Sequence, residues 1–406
     1  MERKIKLIFI FFFLNYMIFP VNLIMRATQN ELVSITVVSP CGRADEGISG
    51  LLSVLFLYQR EKWRKSLWNS GGRVEAKINE DSSYFRVIAL KNYWNVATNV
   101  TESLIFDSQI NPISLETAKK ILVMSLPRPT LEDFGPFLFY PMSEYGHPFP
   151  VIADIMKINS SHLRALKNKC FSPSRVRVIV EGGFVPSVVK NIYMKKIADY
   201  PPPPRLVEPP DRPPIGVGFL PDDEYHVIWF FKLIEEREIL PIKYLIHSLA
   251  MNSEGLLYTM FSGKIRVNSG IKYGRNVSFG WIDLKVNDPK DLREVFFVSR
   301  RVIYGKLRTG IEEEEYNRAR KYELGREKYY KSLPWPIFRR EWKAIRMREK
   351  KMSIEQMNNV LKNFPLRSTS VLITGRENNI KEILDRVSSI GVFDSLGRFM
   401  YELSSE

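Results

Sequence analysis

Histidine and cysteine are scarce in this chain, and their scarcity excludes a good deal. Among 406 residues there are two cysteines, Cys41 and Cys170, and four histidines, His147, His162, His226 and His247. Two cysteines make no disulfide framework, although they could form one bond in an oxidising compartment. There is no zinc-finger spacing, and no two histidines lie within helical reach of each other, so no local imidazole pair stands ready for a metal. Beyond residue 20 no stretch approaches eighteen apolar residues, which removes any later membrane-spanning helix from consideration. An aromatic RNA-binding signature and a basic helix with heptads are both missing. Nucleic acid is therefore a poor explanation of the net charge of +15. The surplus is spread thinly over WRKSLW, LKNKCFSPSRVRV, FRREWKAIRMREKK and other segments. It reads as a solvated basic surface that suits an acidic partner.

What is present suits a folded, two-domain chain. The length exceeds one ordinary core and fits two domains of roughly 150–200 residues each. A composition of 45% hydrophobic and 26% charged residues is that of a globular protein. At the N-terminus MERKIK is net positive, and LIFIFFFLNYMIF (7–19) follows as an apolar run before Pro20. Charge and length together predict export to the periplasm, with segment 1–20 either a cleaved signal or a retained N-terminal membrane anchor facing that compartment. The clearest boundary is YPPPPRLVEPPDRPP (200–214), with eight prolines in fifteen residues. Such a segment makes an extended connector rather than helix or sheet interior. It divides the chain into domains 21–199 and 215–406.

The two halves share a layout. Each opens with strands, NELVSITVVS in the first and PIGVGFL then HVIWFFK in the second. Each closes on a β-branched run stopped by glycine, RVRVIVEGGF (175–184) and TSVLITGRE (369–377), followed by a helix. The expected class is α+β: two homologous domains, each a mixed or antiparallel sheet with helices packed on one face. Within the second half, residues 288–333 read as two helices broken near Thr309 and Gly310, and the run EEEE at 312–315 reads as a solvated helix start.

One helix stands out. ADEGISGLLSVLFL (44–57) places a buried helix just after an acidic turn, and SGGRVEAKINEDSSYF (70–85) follows with a Gly71-Gly72 step and a strand ending Tyr84-Phe85. Further on come YGHPFPVI and CFSPSRVRVIVEGGF. In order and spacing these segments resemble the insulinase and pitrilysin superfamily of zinc peptidases, from about residue 21 to the end. Within it they are most similar to the non-catalytic subunits of heterodimers like mitochondrial processing peptidase. In that family the helix carries H-x-x-E-H, whose residues i, i+3 and i+4 share a face and hold zinc and its water. Here the three metal-site positions fall on Gly50, Ser53 and Val54, and the family's downstream glutamate falls on Met124 or Ser125. Glu75 replaces the asparagine that contacts substrate backbone.

The resemblance implies no catalytic residue and no metal in this chain, hence no enzyme by itself and no cofactor of its own. In the second half, TMFSGKIRVNSGIKYG (259–274) is similar to the stretch in which an arginine precedes a tyrosine by seven residues. This makes Arg266 and Tyr273, with Gly270 between them, the expected substrate-binding pair. Both are hydrogen-bond donors, as stabilisation of a developing oxyanion requires. The implied role is a substrate-binding subunit of a heterodimeric zinc peptidase, lending this pair to an H-x-x-E-H partner that carries the zinc and acts on a peptide. Two alternatives stand beside it: a structural subunit of a larger complex, like the core proteins of respiratory complexes, and a stand-alone peptide-binding clamp.

Overall fold

The computed structural model describes residues 22–404 apart from 147–148, 195–201, 212, 252–253, 275, 277, 333–351 and 385. Segment 1–20, His147 and parts of the proline linker lie outside the described residues. The chain divides into two compact units. One takes the chain up to Leu126 together with Val151–Val207; the other takes Pro127–Pro150, Glu208–Leu333 and Lys343–Glu406.

The first unit is built on β1 (Asn22–Ala27), β2 (Leu32–Ser39), β3 (Arg73–Ile78), β4 (Ser83–Leu90) and β5 (Arg177–Gly182), in the order β1-β5-β2-β4-β3. All neighbours are antiparallel except β1 and β5. Alternation along LVSITVVS sets the faces. Val33, Ile35 and Val37 are fully buried in one core with Phe85 and Val87 of β4, whereas Ser34 and Thr36 point the other way. Onto the apolar face pack α1 (Leu51–Lys62), α2 (Trp94–Phe106), α3 (Pro112–Met124), α4 (Ser160–Cys170) and α5 (Pro186–Tyr193). Their starts are written in the sequence. Asn111 caps α3 by accepting the Ser114 N–H at 3.0 Å, with Pro112 next in line, and Asn159 does the same for α4. Cys41 and Cys170, both buried, are joined in a disulfide that ties the end of β2 to the end of α4 across 129 residues. The sequence left that pairing open.

The second unit repeats the first sheet's order and adds to it. Its strands are β6 (Val217–Pro221), β7 (Tyr225–Leu233), β8 (Ile265–Lys272), β9 (Ser278–Val286), β10 (Thr369–Gly375), β11 (Ser389–Phe393) and β12 (Phe399–Ser404), ordered β12-β11-β6-β10-β7-β9-β8. β10 lies parallel to β6 and antiparallel to β7, just as β5 lies parallel to β1 and antiparallel to β2. The two sheets thus share one topology, with β11 and β12 added outside β6. Val227, Trp229 and Phe231 face a helical layer of α6 (Glu236–Ala250), α7 (Leu292–Thr309), α8 (Glu313–Ser332) and α9 (Ile354–Lys362). Part of the opposite face is also covered. The short helix Phe134–Phe139 lies on it, with Phe139 set edge-on to Phe230 and Phe279 at 6.4 and 6.2 Å. Gly135 suits this close approach, since a Cβ would stand 3.0 Å from both of those rings.

Two expectations change. The run at 312–315 is not wholly solvated: Glu315 turns inward and accepts from Lys306 at 2.9 Å, Ser248 at 2.7 Å and the Glu312 N–H at 2.8 Å. The expectation of a membrane-anchored chain is corrected for the described residues, among which no helix is long and apolar enough to cross a membrane; segment 1–20, where the anchor was expected, lies outside them.

Candidate functional site

α1 begins at Leu51, so the first metal-site position is not on the helix at all. Gly50 precedes it in the left-handed region, φ 86° and ψ 1°, a conformation that costs any residue with a Cβ. The reason lies in the acidic turn. Glu46 Oε2 accepts the Gly50 N–H at 2.9 Å and Oε1 accepts the Leu52 N–H at 2.8 Å, so one carboxylate satisfies donors that the helix start leaves unpaired. Burial pushes the Glu46 carboxyl up to about 7, against the opposing pull of those two N–H groups and of Arg43. Its neighbour Asp45 is buried as well, 3.3 Å from the Lys169 ammonium and accepting the Val207 N–H at 2.9 Å. Sequence reading saw an acidic turn; the fold uses it to hold the helix.

The remaining metal-site positions do not fit zinc. Ser53 is half-buried, and Val54 is fully buried in the first core. Met124 ends α3 with its side chain 87% exposed, and the Ser125 hydroxyl donates to the Ile121 carbonyl at 2.8 Å. Glycine and valine offer no donor atom, and one serine makes no tetrahedral site. Among the described residues no group of three or more His, Cys, Asp or Glu could hold a metal ion. Glu75, on β3, is engaged with Arg73 at 3.0 Å and Arg86 at 3.3 Å.

In the second unit Arg266 and Tyr273 do not converge. β8 runs from Ile265 to Lys272, and an odd separation of seven residues puts the two on opposite faces of the sheet. Arg266 is exposed, opposite Lys285, on the face away from the helical layer. Tyr273, just past the strand, packs against the second core with Val267 and Ile271. At a strand rise of about 3.3 Å per residue they stand roughly 20 Å apart.

Arg266 has company that the sequence did not reveal. Opposite Arg266 on β9 is Lys285, and next to it on β7 is His226. His226 Nδ1 is 2.7 Å from Asp283 Oδ1 and Nε2 is 3.4 Å from Glu224 Oε2, while the Lys285 ammonium donates to Glu224 at 2.5 Å. Burial works to lower the His226 pKa, but Asp283 and Glu224 outweigh it and hold the imidazolium above its usual range. Glu224 is held low, chiefly by Lys285 and His226. The result is a strip of alternating charge on one sheet face, with Arg266 and Asn268 exposed on the outer strand. Polar residues set within apolar strands, His226 in YHVIWFFK and the alternating Asp283 and Lys285 in WIDLKV, were the signal for it.

No protein-family model matches the chain, and no curated protein matches it. Solved structures do. An M16-like peptidase from Alicyclobacillus acidocaldarius has a TM-score of 0.70 at 13% identity, over 88% of this chain and 96% of that one. The peptidase M16 inactive domain from Pseudomonas fluorescens has a TM-score of 0.69 at 12% identity, over 87% and 95%. A chain of complex III from Candida albicans has a TM-score of 0.68 at 12% identity, over 90% and 95%. The fold of this chain is that of the M16, insulinase-type peptidase structures.

Proposed function

We propose that this chain is a catalytically inactive, substrate-binding subunit of an insulinase-type peptidase, working with a metal-bearing partner of the same fold. One observation carries the reading. Within an M16 fold, the positions proposed for ligands and base fall on Gly50, just before the helix that follows the acidic turn, and on Ser53 and Val54 within it; Glu46 bonds the Gly50 N–H and Val54 lies in the core. Arg266, exposed within the charged strip of β7 to β9, is the residue proposed to meet the substrate, and Tyr273 the one that anchors the end of its strand. The zinc and the hydrolytic water belong to the partner in this scheme. A structural subunit is the second reading, favoured by the likeness to the complex III chain.

The test is isolation of a tagged copy from its own cells. A chain with H-x-x-E-H is expected to co-purify, and the pair should cleave peptides that this chain alone leaves intact. Arg266→Ala should lower kcat/KM of the pair by roughly two decades, the usual effect of losing one transition-state donor, while Ser53→Ala leaves it unchanged. Isolation as a lone monomer or homodimer would favour the clamp. An assembled pair that cleaves normally with Arg266→Ala would favour the structural subunit.

A further inference from the structure

The second unit also carries a cleft apart from the charged strip. It holds about 940 Å³ and opens at the rim of the sheet, where β6, β10 and β11 begin and β7 ends. α7 forms one wall through Phe296, Arg300 and Tyr304, which recur every fourth residue and so share a helix face. The linker residues Asp211, Pro213 and Pro214 form another. Four cations line it: Lys232 at the end of β7, Arg300 on α7, Arg367 before β10 and Arg386 before β11, against the single acid Asp211. Elsewhere in this unit buried-side lysines are matched, as in Lys306 with Glu315 and Lys272 with Asp133. Around the cleft no such close pair forms, and Asp211 acts on Lys232 only at longer range. No carboxylate of a described residue stands within ion-pair distance of these four. Three of them rest on rings instead: Lys232 over Tyr140 at 4.1 Å, Arg300 over Tyr304 at 5.6 Å and Arg386 over Phe297 at 5.5 Å.

We infer that this cleft binds an acidic peptide segment, its carboxylates on Lys232, Arg300, Arg367 and Arg386 and its aliphatic side chains against Ile234, Leu366 and Val387. Guanidinium groups suit carboxylates because they donate two parallel bonds, and rings beneath them keep them in place. The accessible apolar lining is mainly aliphatic, with Ile234 63% exposed and Leu366 36% exposed, and the half-buried ring of Tyr304 has Arg300 over its face. Trp229 and Phe296 are buried and stacked on each other at 6.0 Å, which leaves them no free face for a nucleic-acid base. A simple phosphate is far smaller than the cleft, and the cations come from four separate segments.

The probe is a fluorescein-labelled peptide of alternating Glu and Leu, with a Gln-for-Glu version as its control, titrated into the full chain and read by anisotropy. The Glu peptide should bind with an affinity that falls as salt rises, and the Gln peptide at least tenfold more weakly. Arg300→Ala and Arg386→Ala should each weaken the Glu peptide about tenfold, the scale of one lost charge-assisted bond. Arg301→Ala, the exposed neighbour outside the cleft, should not. Thermal melts of each variant separate lost binding from lost fold. Equal weakening by Arg301→Ala, tighter binding of a single-stranded oligonucleotide, or displacement by inorganic phosphate at millimolar levels would each overturn the assignment. No metal-bearing partner is in the assay, so its outcome is separate from that of the subunit reading.

Discussion

At the scale of single residues, the acidic turn was visible in the sequence and its purpose was not. ADEG before an apolar helix announces a helix start, but only packing shows that the carboxylate of Glu46 is buried and bonded to two N–H groups. Its pKa of about 7, against an ordinary 4.5, means that the fold disfavours the ionised form. The sign follows from proton counting: the native state binds more protons than the unfolded state between these values, so stability falls as pH rises from about 4.5 to about 7 and then levels. The full drop is about 3 kcal/mol. Chemical denaturation at pH 5 and pH 7.5 reads it, and Glu46→Gln should flatten the difference; an unchanged slope would mean that Glu46 is already ionised at pH 5. Arg266 and Tyr273 teach a related lesson. A seven-residue spacing matches a motif, yet the period of a strand assigns odd separations to opposite faces, and that was readable once β8 was placed.

At the scale of elements, the sequence was most informative where a local period carries the signal. β2, β7, β5 and β10 were read from β-branched or aromatic runs, and α7 and α8 from the break at Thr309 and Gly310, where Gly310 takes φ 89° to end the helix. β1 went unread because it follows directly on the apolar run of the N-terminus. The start of α8 was read as solvent-facing because four consecutive glutamates look alike in a sequence. Their environments differ. Glu313 and Glu314 are exposed, whereas Glu315 ties α8 to Lys306 on α7 and Ser248 on α6. Glu315→Ala should therefore cost about 2 kcal/mol, and Glu313→Ala or Glu314→Ala less than about 0.5, measured by urea midpoints. Equal effects at all three would return the run to a solvated helix start.

At the scale of the whole molecule, the two-fold repetition of one sheet order was legible in the similar layout of the halves, while the long-range tie between Cys41 and Cys170 was not. Two cysteines 129 residues apart carry no local mark of pairing. Closing so long a loop restricts the unfolded chain, and replacing both cysteines by serine should destabilise the protein by about 2–5 kcal/mol. A thermal melt of the double variant beside the oxidised and the reduced parent measures it. If reduction leaves the parent's melting temperature unchanged, the bond contributes nothing to stability.

The place of Pro127–Pro150 has a bearing on synthesis. These residues precede the proline linker yet belong to the second unit, where Phe134 and Phe137 are buried and Phe134 meets Phe393 at 6.3 Å. A ribosome delivers them about 250 residues before that last ring, roughly 10–50 s at ordinary elongation rates. Through that interval the aromatic helix lacks its full set of neighbours, since Phe230 and Phe279 are made before Phe393 and the last ring comes only at the end. The chain thus matures as an interleaved whole, and an early halt in translation leaves a sticky intermediate rather than a finished half.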